Sequence, residues 1–502
     1  MTNLKQKKVD KMRTSEEYTS DLEKMEENVW VGGEKTSRTN ELFQPGINVI
    51  NLTFEMAQEP EYEDIFTAKS HLREEKINRF THIPQTQEDL MKKQKMIRLG
   101  AQRAGGCIQR CMGLDAIIAL SFVTKDIDDE YDTEYYDRFT DYLEEYQKKD
   151  LAAACAQTDV KGDRSKRPHE QEDPDLYLRV VEENGDGIVV KGAKHEITMA
   201  AYADEIIVIP TRAMAEGDED YAVSFAVPGD HENVRHIARP ARYRKRKGEK
   251  APIAEKGVAE SVIIFDRTFI PRERVFMCKE REFARMLALG FANSHRHSYT
   301  GCKPAVSDIL AGASALAAEC NNIERASHVR EKISEIIGNA ELSYAAGIAS
   351  AVEGTETPSG TYFPNPIYAN VGRRLMGEEI YNEYSNLTEI AGGQMVTLPY
   401  EEDFINEETG EDLRKYMRRN PNISSEDQHK AFRFLEDIGA SSMATWYQIA
   451  GVHGGGSPIM ETITLMAEYD TEAKKNLAKY LAGINENLEQ DTKFGADVTV
   501  SR

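Results

Sequence analysis

The chain has 502 residues and a formal net charge of −23 at pH 7, and its length allows two to four domains with large hydrophobic cores. Its 6 scattered cysteines argue against a secreted disulfide scaffold and favour a cytoplasmic protein, and the sequence contains no signal-peptide core or membrane-spanning apolar run, so we expect no membrane partner. The negative charge repels phosphate backbones, and we therefore expect no nucleic-acid partner.

Residues 1–150 are predicted to form an N-terminal helical domain. A capping box at Thr14-Ser15-Glu16-Glu17 starts the first helix, and Gly32-Gly33 is predicted to stop it. A second helical pattern extends over residues 88–122 and passes through Cys107 and Cys111. A third helix carries an aromatic stripe at 4, 3, 4 spacing, typical of a core-facing surface: Tyr135, Phe139, Tyr142 and Tyr146.

Residues 151–280 are predicted to form a β domain, because the apolar pattern changes to short runs bounded by turns. The candidate strands are residues 176–181, 187–190, 205–210, 221–227 and 261–265, with a hairpin signal at Asn184-Gly185-Asp186-Gly187. Long helices do not interrupt these runs and there is no glycine-rich dinucleotide loop, so we expect an antiparallel sheet or barrel instead of a Rossmann fold.

Residues 228–260 are predicted to be a loop-like insertion that carries the basic run from Arg239 to Lys250. A basic run of this kind is usually a solvated loop. In so acidic a protein it also suits an anionic group such as a coenzyme A phosphate, and both interpretations stay open.

Residues 281–488 are predicted to form a C-terminal helical bundle, with alanine-rich faces that permit close packing. The predicted helices cover residues 281–297, 304–321, 323–353, 377–390, 425–450 and 472–488, and residues 489–502 are predicted to form a polar tail. The fold class is therefore α+β and multidomain, in the order helical, β, helical.

Two cysteine and histidine patterns suit a single metal centre. Cys107 and Cys111 are four residues apart, as are His295 and Tyr299, and Cys302 follows three residues later. On helices each set would share one face, so that three thiols and an imidazole would meet. This donor set suits zinc or an iron-sulfur cluster, whereas two cysteines on one face are also common in a core. Spacing alone leaves both interpretations open.

Several short motifs in one order resemble a known family. They are Ile47-Asn48 to Thr53, Thr67-Ala-Lys-Ser70, Cys107-Ile-Gln-Arg-Cys111, Thr158-Asp-Val-Lys-Gly-Asp-Arg164, Lys191-Gly-Ala-Lys194, Tyr221-Ala-Val-Ser-Phe225, His295 to Lys303, Ala391-Gly-Gly-Gln-Met-Val-Thr397 and His453-Gly-Gly-Gly-Ser-Pro458. Nearly the whole chain resembles the 4-hydroxybutyryl-CoA dehydratases and vinylacetyl-CoA delta-isomerases, within the 4-hydroxyphenylacetate 3-hydroxylase group of flavoproteins. The resemblance implies an acyl-CoA-dehydrogenase-like subunit, a homotetramer built as a dimer of dimers, an acyl-CoA substrate, FAD and a [4Fe-4S] cluster.

The same resemblance implies which residues form the site. The cluster ligands would be Cys107, Cys111, His295 and Cys302, and His297 would be a neighbour of the cluster. The catalytic group would comprise His295 as base, Tyr299 as a proton carrier, Glu260 and Lys303. The FAD contacts would be Asp159, Lys161, Gly162, Asp163, Arg164, Thr198, Gly392, Gly393 and Gln394.

The implied reaction explains why both cofactors are needed. In a 4-hydroxyacyl thioester the carbonyl acidifies the α-hydrogen but not the β-hydrogen that leaves with the γ-hydroxyl. A flavin that exchanges single electrons would convert an enolate into a radical in which the β-hydrogen is acidic. An iron with a replaceable ligand would polarise the departing hydroxyl as a Lewis acid.

One position departs from the family pattern. Three residues before His453 the family has a glutamate, and this chain has Ala450, which cannot move a proton. Glu461 lies downstream, and nothing in the sequence places it in the same space. A paralogue for another acyl-CoA, or an enzyme that only isomerises, is therefore an alternative. Two further alternatives are a flavin-dependent aromatic hydroxylase without iron and a non-enzymatic zinc scaffold.

Overall fold

The computed structural model describes residues 12–244 and 251–484, which form sixteen helices and fourteen strands. The helices are α1 (Ser15–Lys24), α2 (Gln44–Gln58), α3 (Glu63–Phe66), α4 (Gln87–Ala104), α5 (Cys111–Tyr131), α6 (Tyr135–Lys149), α7 (Arg281–Cys320), α8 (Ser327–Val352), α9 (Pro366–Ala391), α10 (Gln394–Thr397), α11 (Glu401–Ile405), α12 (Gly410–Tyr416), α13 (Ser425–Ala440), α14 (Ser442–His453), α15 (Pro458–Glu468) and α16 (Thr471–Leu481). The strands are β1 (Val29–Val31), β2 (Glu34–Thr36), β3 (Thr67–Lys69), β4 (Lys76–Asn78), β5 (Ala153–Ala156), β6 (Arg179–Asn184), β7 (Gly187–Thr198), β8 (Glu205–Val208), β9 (Val223–Pro228), β10 (Val234–Arg242), β11 (Gly257–Pro271), β12 (Val275–Cys278), β13 (Thr355–Glu356) and β14 (Tyr362–Phe363).

Two larger sheets form the middle of the chain. The six-stranded sheet has the order β2-β1-β10-β11-β7-β6, and the four-stranded sheet has the order β12-β9-β8-β5. Most neighbours are antiparallel, but β1 runs parallel to β10 and β5 runs parallel to β8. The prediction of a mainly antiparallel β region is confirmed. The described strands pair as open sheets instead of a closed barrel.

The helices pack around α7, which contacts α4, α5, α8 and α9. The aromatic stripe of α6 is buried, as predicted: Tyr135, Phe139, Tyr142 and Tyr146 belong to the larger hydrophobic core. A second core lies between the C-terminal helices and takes in Tyr243 and Val258, which follow β10 and lie in β11. The core thus continues from the β region into the bundle.

The N-terminal segment differs from its prediction in two places. Helix α1 ends at Lys24, and Gly32 and Gly33 form the turn between β1 and β2 with φ of +62° and +91°. The prediction that these glycines stop the helix is therefore wrong. The helix ends earlier, and residues 29–31 form a strand because they pair with β10, more than 200 residues away in the sequence. The second helical pattern is interrupted between Ala104 and Cys111, where Gly105 caps α4 with φ of +78°. Cys107 lies in this interruption and not on a helix.

The predicted insertion at residues 228–260 is largely strand. In β10 the side chains from Val234 to Arg239 alternate between buried and exposed, which is the strand period of two. The basic residues occupy the exposed positions of this pattern, and their density obscured the alternation. The prediction of a loop is therefore wrong for residues 234–242, and residues 245–250 of the basic run lie outside the described ranges.

Several C-terminal helices have different bounds from those predicted. The helix predicted over residues 425–450 is two helices, because Ser441 caps α14 by accepting a hydrogen bond from the amide of Ala444. Helix α9 begins eleven residues before the predicted start, with Pro366 in its first turn. The last predicted helix ends at Leu481, and the predicted tail at residues 489–502 lies outside the described ranges.

Helix α7 is continuous through Pro304, where the sequence predicted a break between two helices. A proline inside a helix removes the hydrogen bond to the carbonyl four residues earlier. Here that carbonyl belongs to Thr300, and it accepts a hydrogen bond from Gln94 Nε2 at 3.1 Å. A side chain of α4 therefore replaces the missing backbone donor, and the helix continues.

Among residues 12–244 and 251–484, none of the helices combines the length and apolar composition required to cross a bilayer.

The role of Gln94 is testable by a double-mutant cycle. Replacing Gln94 with Leu leaves the buried Thr300 carbonyl without a donor, so we expect the free energy of unfolding to fall by about 1–3 kcal/mol. In Pro304→Ala the new amide N–H supplies that donor, so Gln94→Leu should cost less in this background. Denaturant unfolding of the four proteins measures both costs, and equal costs in the two backgrounds would contradict this explanation.

Candidate active site

The segment between α4 and α5 carries two of the predicted ligands on a tightly anchored loop. Gln109 adopts φ of +62° and is fully buried, and its Nε2 donates to the Gly257 carbonyl at 2.8 Å. Arg110 points the other way and donates to Asp150 Oδ1 at 2.5 Å and to Thr53 Oγ1 at 3.0 Å. The residues between the two cysteines thus fix the loop to the sheet and to the helical region at once.

Gly106 permits the close approach of this loop to α14. Its φ is +142°, and a Cβ placed there would lie 2.2–2.5 Å from ring atoms of Tyr447. The Tyr447 hydroxyl accepts a hydrogen bond from the amide of Cys107 at 3.0 Å. A glycine at 106 is therefore required for α14 to hold the Cys107 backbone.

The predicted ligands of α7 lie on one face, as the sequence indicated. The His295 imidazole stacks on Phe291 with ring centroids 5.6 Å apart, and it meets Tyr299 edge-on with centroids 6.3 Å apart. A ligand atom of Cys111 and one of His295 lie within 4.8 Å of each other. The imidazole is therefore held between two aromatic rings and beside a thiol.

The three thiols lie close enough to affect one another's ionisation. Burial and the neighbouring Cys302 raise the pKa of Cys107 to about 12. Burial, followed by Cys107, raises the pKa of Cys111 well above its usual range. Burial also raises the pKa of Cys302. The structure thus brings the buried Cys111 and Cys302 near the half-buried Cys107, although the three come from different elements.

Asp115 joins this group and was missed by the sequence analysis. It lies one helical turn after Cys111 on α5, and its Oδ2 is 2.8 Å from His295 Nδ1. Burial alone would raise the pKa of Asp115, but Lys93 and His295 outweigh it and lower the pKa to about 2. The four-residue spacing of Cys111 and Asp115 was the one sequence signal for this contact. Such spacing is too common to identify Asp115 as a partner of His295.

Lys303 places a positive charge beside the thiols. Its side chain is buried, and its Nζ lies 4.8 Å from the centroid of the Tyr299 ring. No carboxylate among the described residues forms an ion pair with it. Burial would lower the pKa of Lys303, but Tyr299, Cys302 and Cys107 raise it above its ordinary value. A buried cation of this kind suits a group that becomes anionic, such as a set of metal-bound thiolates.

The Tyr299 hydroxyl faces α14 and donates to the carbonyls of Ala450 and Gly451, the latter at 3.0 Å. Arg373 lies over the Tyr299 ring at 5.1 Å and forms an ion pair with Glu461 at 2.7 Å. Glu461 is therefore in the neighbourhood of Tyr299, which the sequence did not reveal, but Arg373 stands between them. Ala450 itself contacts Tyr299 through its backbone.

Glu260 extends the site toward the β region. Its Oε1 accepts hydrogen bonds from Thr198 Oγ1 at 2.9 Å and from Trp446 Nε1 at 3.0 Å. Its Oε2 is buried without a hydrogen-bond partner, and burial raises the pKa of Glu260. Glu260 in turn contributes to the raised pKa of Cys107. The structure thus connects the predicted residues Glu260 and Thr198 to the thiol group.

The residues predicted to contact FAD lie in separate places. Asp159 is buried and forms an ion pair with Lys194 at 3.0 Å, so its carboxylate is already engaged. In the loop that follows, neither Lys161 nor Arg164 forms an ion pair with a described residue, and Gly162 and Asp163 are exposed between them. The glycines before Gln394 are exposed at the end of α9. The assignment of these residues to FAD stays a prediction.

His297 does not take part in the contacts of His295. Its ring is fully buried beside the Gly347 backbone, and burial lowers its pKa to about 3. It is therefore a neutral core histidine, and Asp115 is the group that contacts the His295 ring.

Comparisons with known proteins match the whole described region. The family model described as "4-hydroxyphenylacetate 3-hydroxylase N terminal" matches residues 14–277, and the one described as "4-hydroxyphenylacetate 3-hydroxylase C terminal" matches residues 284–483. The chain is 41% identical over 488 residues to the 4-hydroxybutyryl-CoA dehydratase/vinylacetyl-CoA-Delta-isomerase of Clostridium aminobutyricum, covering 94% of this chain and 100% of that protein. It is 26% identical over 470 residues to the 4-hydroxyphenylacetate 3-monooxygenase oxygenase component of Thermus thermophilus, covering 92% and 96% of the two proteins.

The similar solved structures include members of the same two groups, the dehydratases and the monooxygenase oxygenase components. An oxygen-tolerant archaeal 4-hydroxybutyryl-CoA dehydratase from N. maritimus superposes with a TM-score of 0.91 at 36% identity, covering 96% of this chain and 97% of that chain. The oxygenase component of 4-hydroxyphenylacetate 3-monooxygenase complexed with FAD superposes with a TM-score of 0.83 at 25% identity, covering 94% and 98%.

Gly106→Ala tests whether the loop conformation holds Cys107 in the thiol group. The new methyl would clash with the Tyr447 ring, so we expect the metal bound per chain after anoxic reconstitution to fall about tenfold or more. Gly312→Ala on α7 is the matched control, because a Cβ there meets no atom within 4 Å. Circular dichroism checks that both variants fold. Full metal content in folded Gly106→Ala would contradict this account of the loop.

Proposed function

The chain belongs to the 4-hydroxyphenylacetate 3-hydroxylase family, and on this basis we propose that it is an FAD- and [4Fe-4S]-dependent 4-hydroxybutyryl-CoA dehydratase with vinylacetyl-CoA isomerase activity. The observation that carries the proposal is the proximity of Cys111 to His295, together with Cys107 and Cys302, which lie near enough to Cys111 to raise its pKa. The 41% identity to the Clostridium aminobutyricum enzyme supports the choice of substrate.

The chemistry of the donor set fits a [4Fe-4S] cluster with one nitrogen ligand. Three thiols match the thiolate ligation that these clusters prefer, and the imidazole of His295 supplies the fourth donor. The ammonium of Lys303, which forms no ion pair with a carboxylate of the described residues, offsets the negative charge that three thiolates would bring into this place. Lys303 therefore supports a thiolate-bound group over three neutral core thiols.

Two features fit FAD. The loop at Lys161 to Arg164 offers exposed backbone with Lys161 in a left-handed conformation and two cationic side chains without ion-pair partners, which suits a pyrophosphate. Thr198 presents a hydroxyl beside Glu260, at the side of the site that faces the β region. The FAD complexes of the related oxygenase component agree with this assignment.

When bound, the cluster supplies a Lewis-acidic iron and FAD supplies single-electron transfer, which together activate the γ-hydroxyl and the β-hydrogen of the substrate. The chain supplies the proton carriers. His295 presents Nε2, because Nδ1 faces Asp115. Nε2 would hold the cluster in the resting protein, and we assign to it, once it is released from that role, the removal of the α-proton. Glu260 Oε2 is the free carboxylate oxygen that accepts or returns a second proton.

Tyr299 and Lys303 complete the assignment. The Tyr299 hydroxyl is held at the two carbonyls of α14, which places the phenol one helical turn from His295. Lys303, beside that ring, keeps positive charge near the thiols and the phenol. We assign to Tyr299 the transfer of a proton at Oη and to Lys303 the stabilisation of negative charge. A homotetramer remains a prediction of the resemblance, and a cytoplasmic location remains a prediction of the cysteine content.

Protein purified without oxygen should contain about four irons with matching sulfide and one FAD per chain. It should convert 4-hydroxybutyryl-CoA into crotonyl-CoA and water, and vinylacetyl-CoA into crotonyl-CoA. Elemental analysis, the flavin spectrum and chromatography of the thioesters measure these outcomes. FAD without iron, together with oxygen-dependent hydroxylation of a phenol by reduced flavin, would instead support the aromatic hydroxylase. Bound zinc without flavin would support a scaffold.

The Ala450→Glu variant tests the departure from the family pattern. We expect wild-type protein to dehydrate the substrate. The added carboxyl should change the dehydration rate by less than about tenfold, because the second proton transfer is assigned to Glu260. Ala450→Gln is the control of equal size without an acid. The isomerase alternative would be supported if the wild-type protein only isomerises vinylacetyl-CoA and if Ala450→Glu, but not Ala450→Gln, gains dehydration.

A further inference from the structure

Asp115 is the most completely bonded carboxylate near the thiols. Its Oδ1 contacts Lys93 Nζ at 2.6 Å and accepts from Ser294 Oγ at 2.8 Å and Ser298 Oγ at 3.0 Å. Its Oδ2 faces His295 Nδ1 at 2.8 Å. The side chains of Asp115 and Lys93 are both essentially inaccessible to solvent, with exposed fractions of 0% and 1%. The carboxylate, carried by α5, is therefore held by side chains of two other helices, α4 and α7.

This arrangement determines how the His295 ring is protonated. Asp115 is an ionised acceptor surrounded by donors, so the hydrogen bond to His295 requires the proton on Nδ1. The remaining nitrogen, Nε2, then carries the lone pair. Phe291 on one side of the imidazole and Tyr299 on the other restrict rotation of the ring. The tautomer and the orientation of the imidazole are thus both fixed before any ligand binds.

Asp115 is poorly suited to bind a metal itself, although its oxygens lie within 4.8 Å of ligand atoms of Cys111 and His295. A metal at Oδ1 would have to displace the contact with Lys93 and the two serine hydroxyls. A metal at Oδ2 would displace the bond that orients His295. The described contacts favour a carboxylate that acts through the histidine.

We propose that Asp115, braced by Lys93, is a positioning residue that holds His295 Nε2 toward the thiols and sets the strength of the bond between histidine and iron. The inference rests on the proposed function, because it requires a cluster at this site. A carboxylate behind a ligating imidazole orients the ring and makes it a stronger donor. Its negative charge also opposes the addition of an electron to the neighbouring metal group. Asp115 therefore tunes both the retention and the reduction potential of the cluster.

The test uses Asp115→Asn in the anoxically purified holoenzyme. The amide keeps the size of the side chain but removes its negative charge. It also places an NH2 group next to the hydrogen-bond donors that surround Asp115. We expect a chelator to remove iron about 10–100-fold faster than from wild-type protein, the reduction potential of the cluster to become more positive, and the electron paramagnetic resonance signal of the reduced cluster to change. These readouts do not depend on turnover.

Asp218→Asn is the matched control. Asp218 is also fully buried, forms an ion pair with Arg167 and lies 2.7 Å from His169 Nδ1. None of the predicted metal ligands contacts it. If Asp115→Asn acts only by destabilising the fold, it will lose iron at the same rate as Asp218→Asn, and neither variant will shift the reduction potential of the cluster. That result would overturn the proposal.

Ser298→Ala covers the case in which Asp115→Asn does not fold. It removes one donor to Oδ1 and leaves the bond to His295, so we expect a smaller change of the cluster potential and of iron release than in Asp115→Asn. An unchanged potential and release rate in Ser298→Ala and in any folded Asp115→Asn would also overturn the proposal. Wild-type protein without a cluster would instead contradict the proposed function, so the two failures are distinguishable.

Discussion

The ion pair between Asp115 and Lys93 is the interaction on which the geometry of the site depends. It joins α4, α5 and α7 in a place that solvent does not reach, and removing one partner of such a pair costs about 3–5 kcal/mol because a charge is left buried. Cys111 lies one turn before Asp115, and His295 is bonded to it. The pair therefore fixes the position of the Cys111 thiol relative to the His295 imidazole. Helix packing through apolar side chains alone would fix this position less strictly.

The other thiols depend on elements outside this helical group. Cys107 is held by α14 through Tyr447 and by the sheet through Gln109, while Cys302 is carried by α7 itself. The ligands thus come together only when the helices, the sheet and the C-terminal segment have all packed. A site built in this way excludes water effectively, which strengthens the influence of charges such as Lys303.

The sequence allowed the prediction of candidate ligands and of most helices, but not of the contacts that orient the candidate ligands. The face shared by His295, Tyr299 and Cys302 follows from helical spacing, and the stripe from Tyr135 to Tyr146 follows from amphipathicity. The partners of buried polar groups are set by tertiary contacts between distant segments, so neither Asp115 nor Lys93 was identified. The continuity of α7 through Pro304 has the same origin, because its substitute donor is Gln94 on another helix.

With an alanine at position 450, the carboxylates to compare as proton carriers are those of Glu461, Asp115 and Glu260. Burial raises the pKa of Glu461 as it does that of Glu260, but Glu461 is held in an ion pair with Arg373. Asp115 is surrounded by donors, so it too holds other groups. Glu260 keeps one oxygen free, and its pKa is raised by burial. A carboxyl in that state exchanges a proton more readily near neutral pH than one fixed in an ion pair. The same contacts that make Glu461 and Asp115 effective anchors are therefore the physical reason for proposing Glu260 and His295 as the proton carriers.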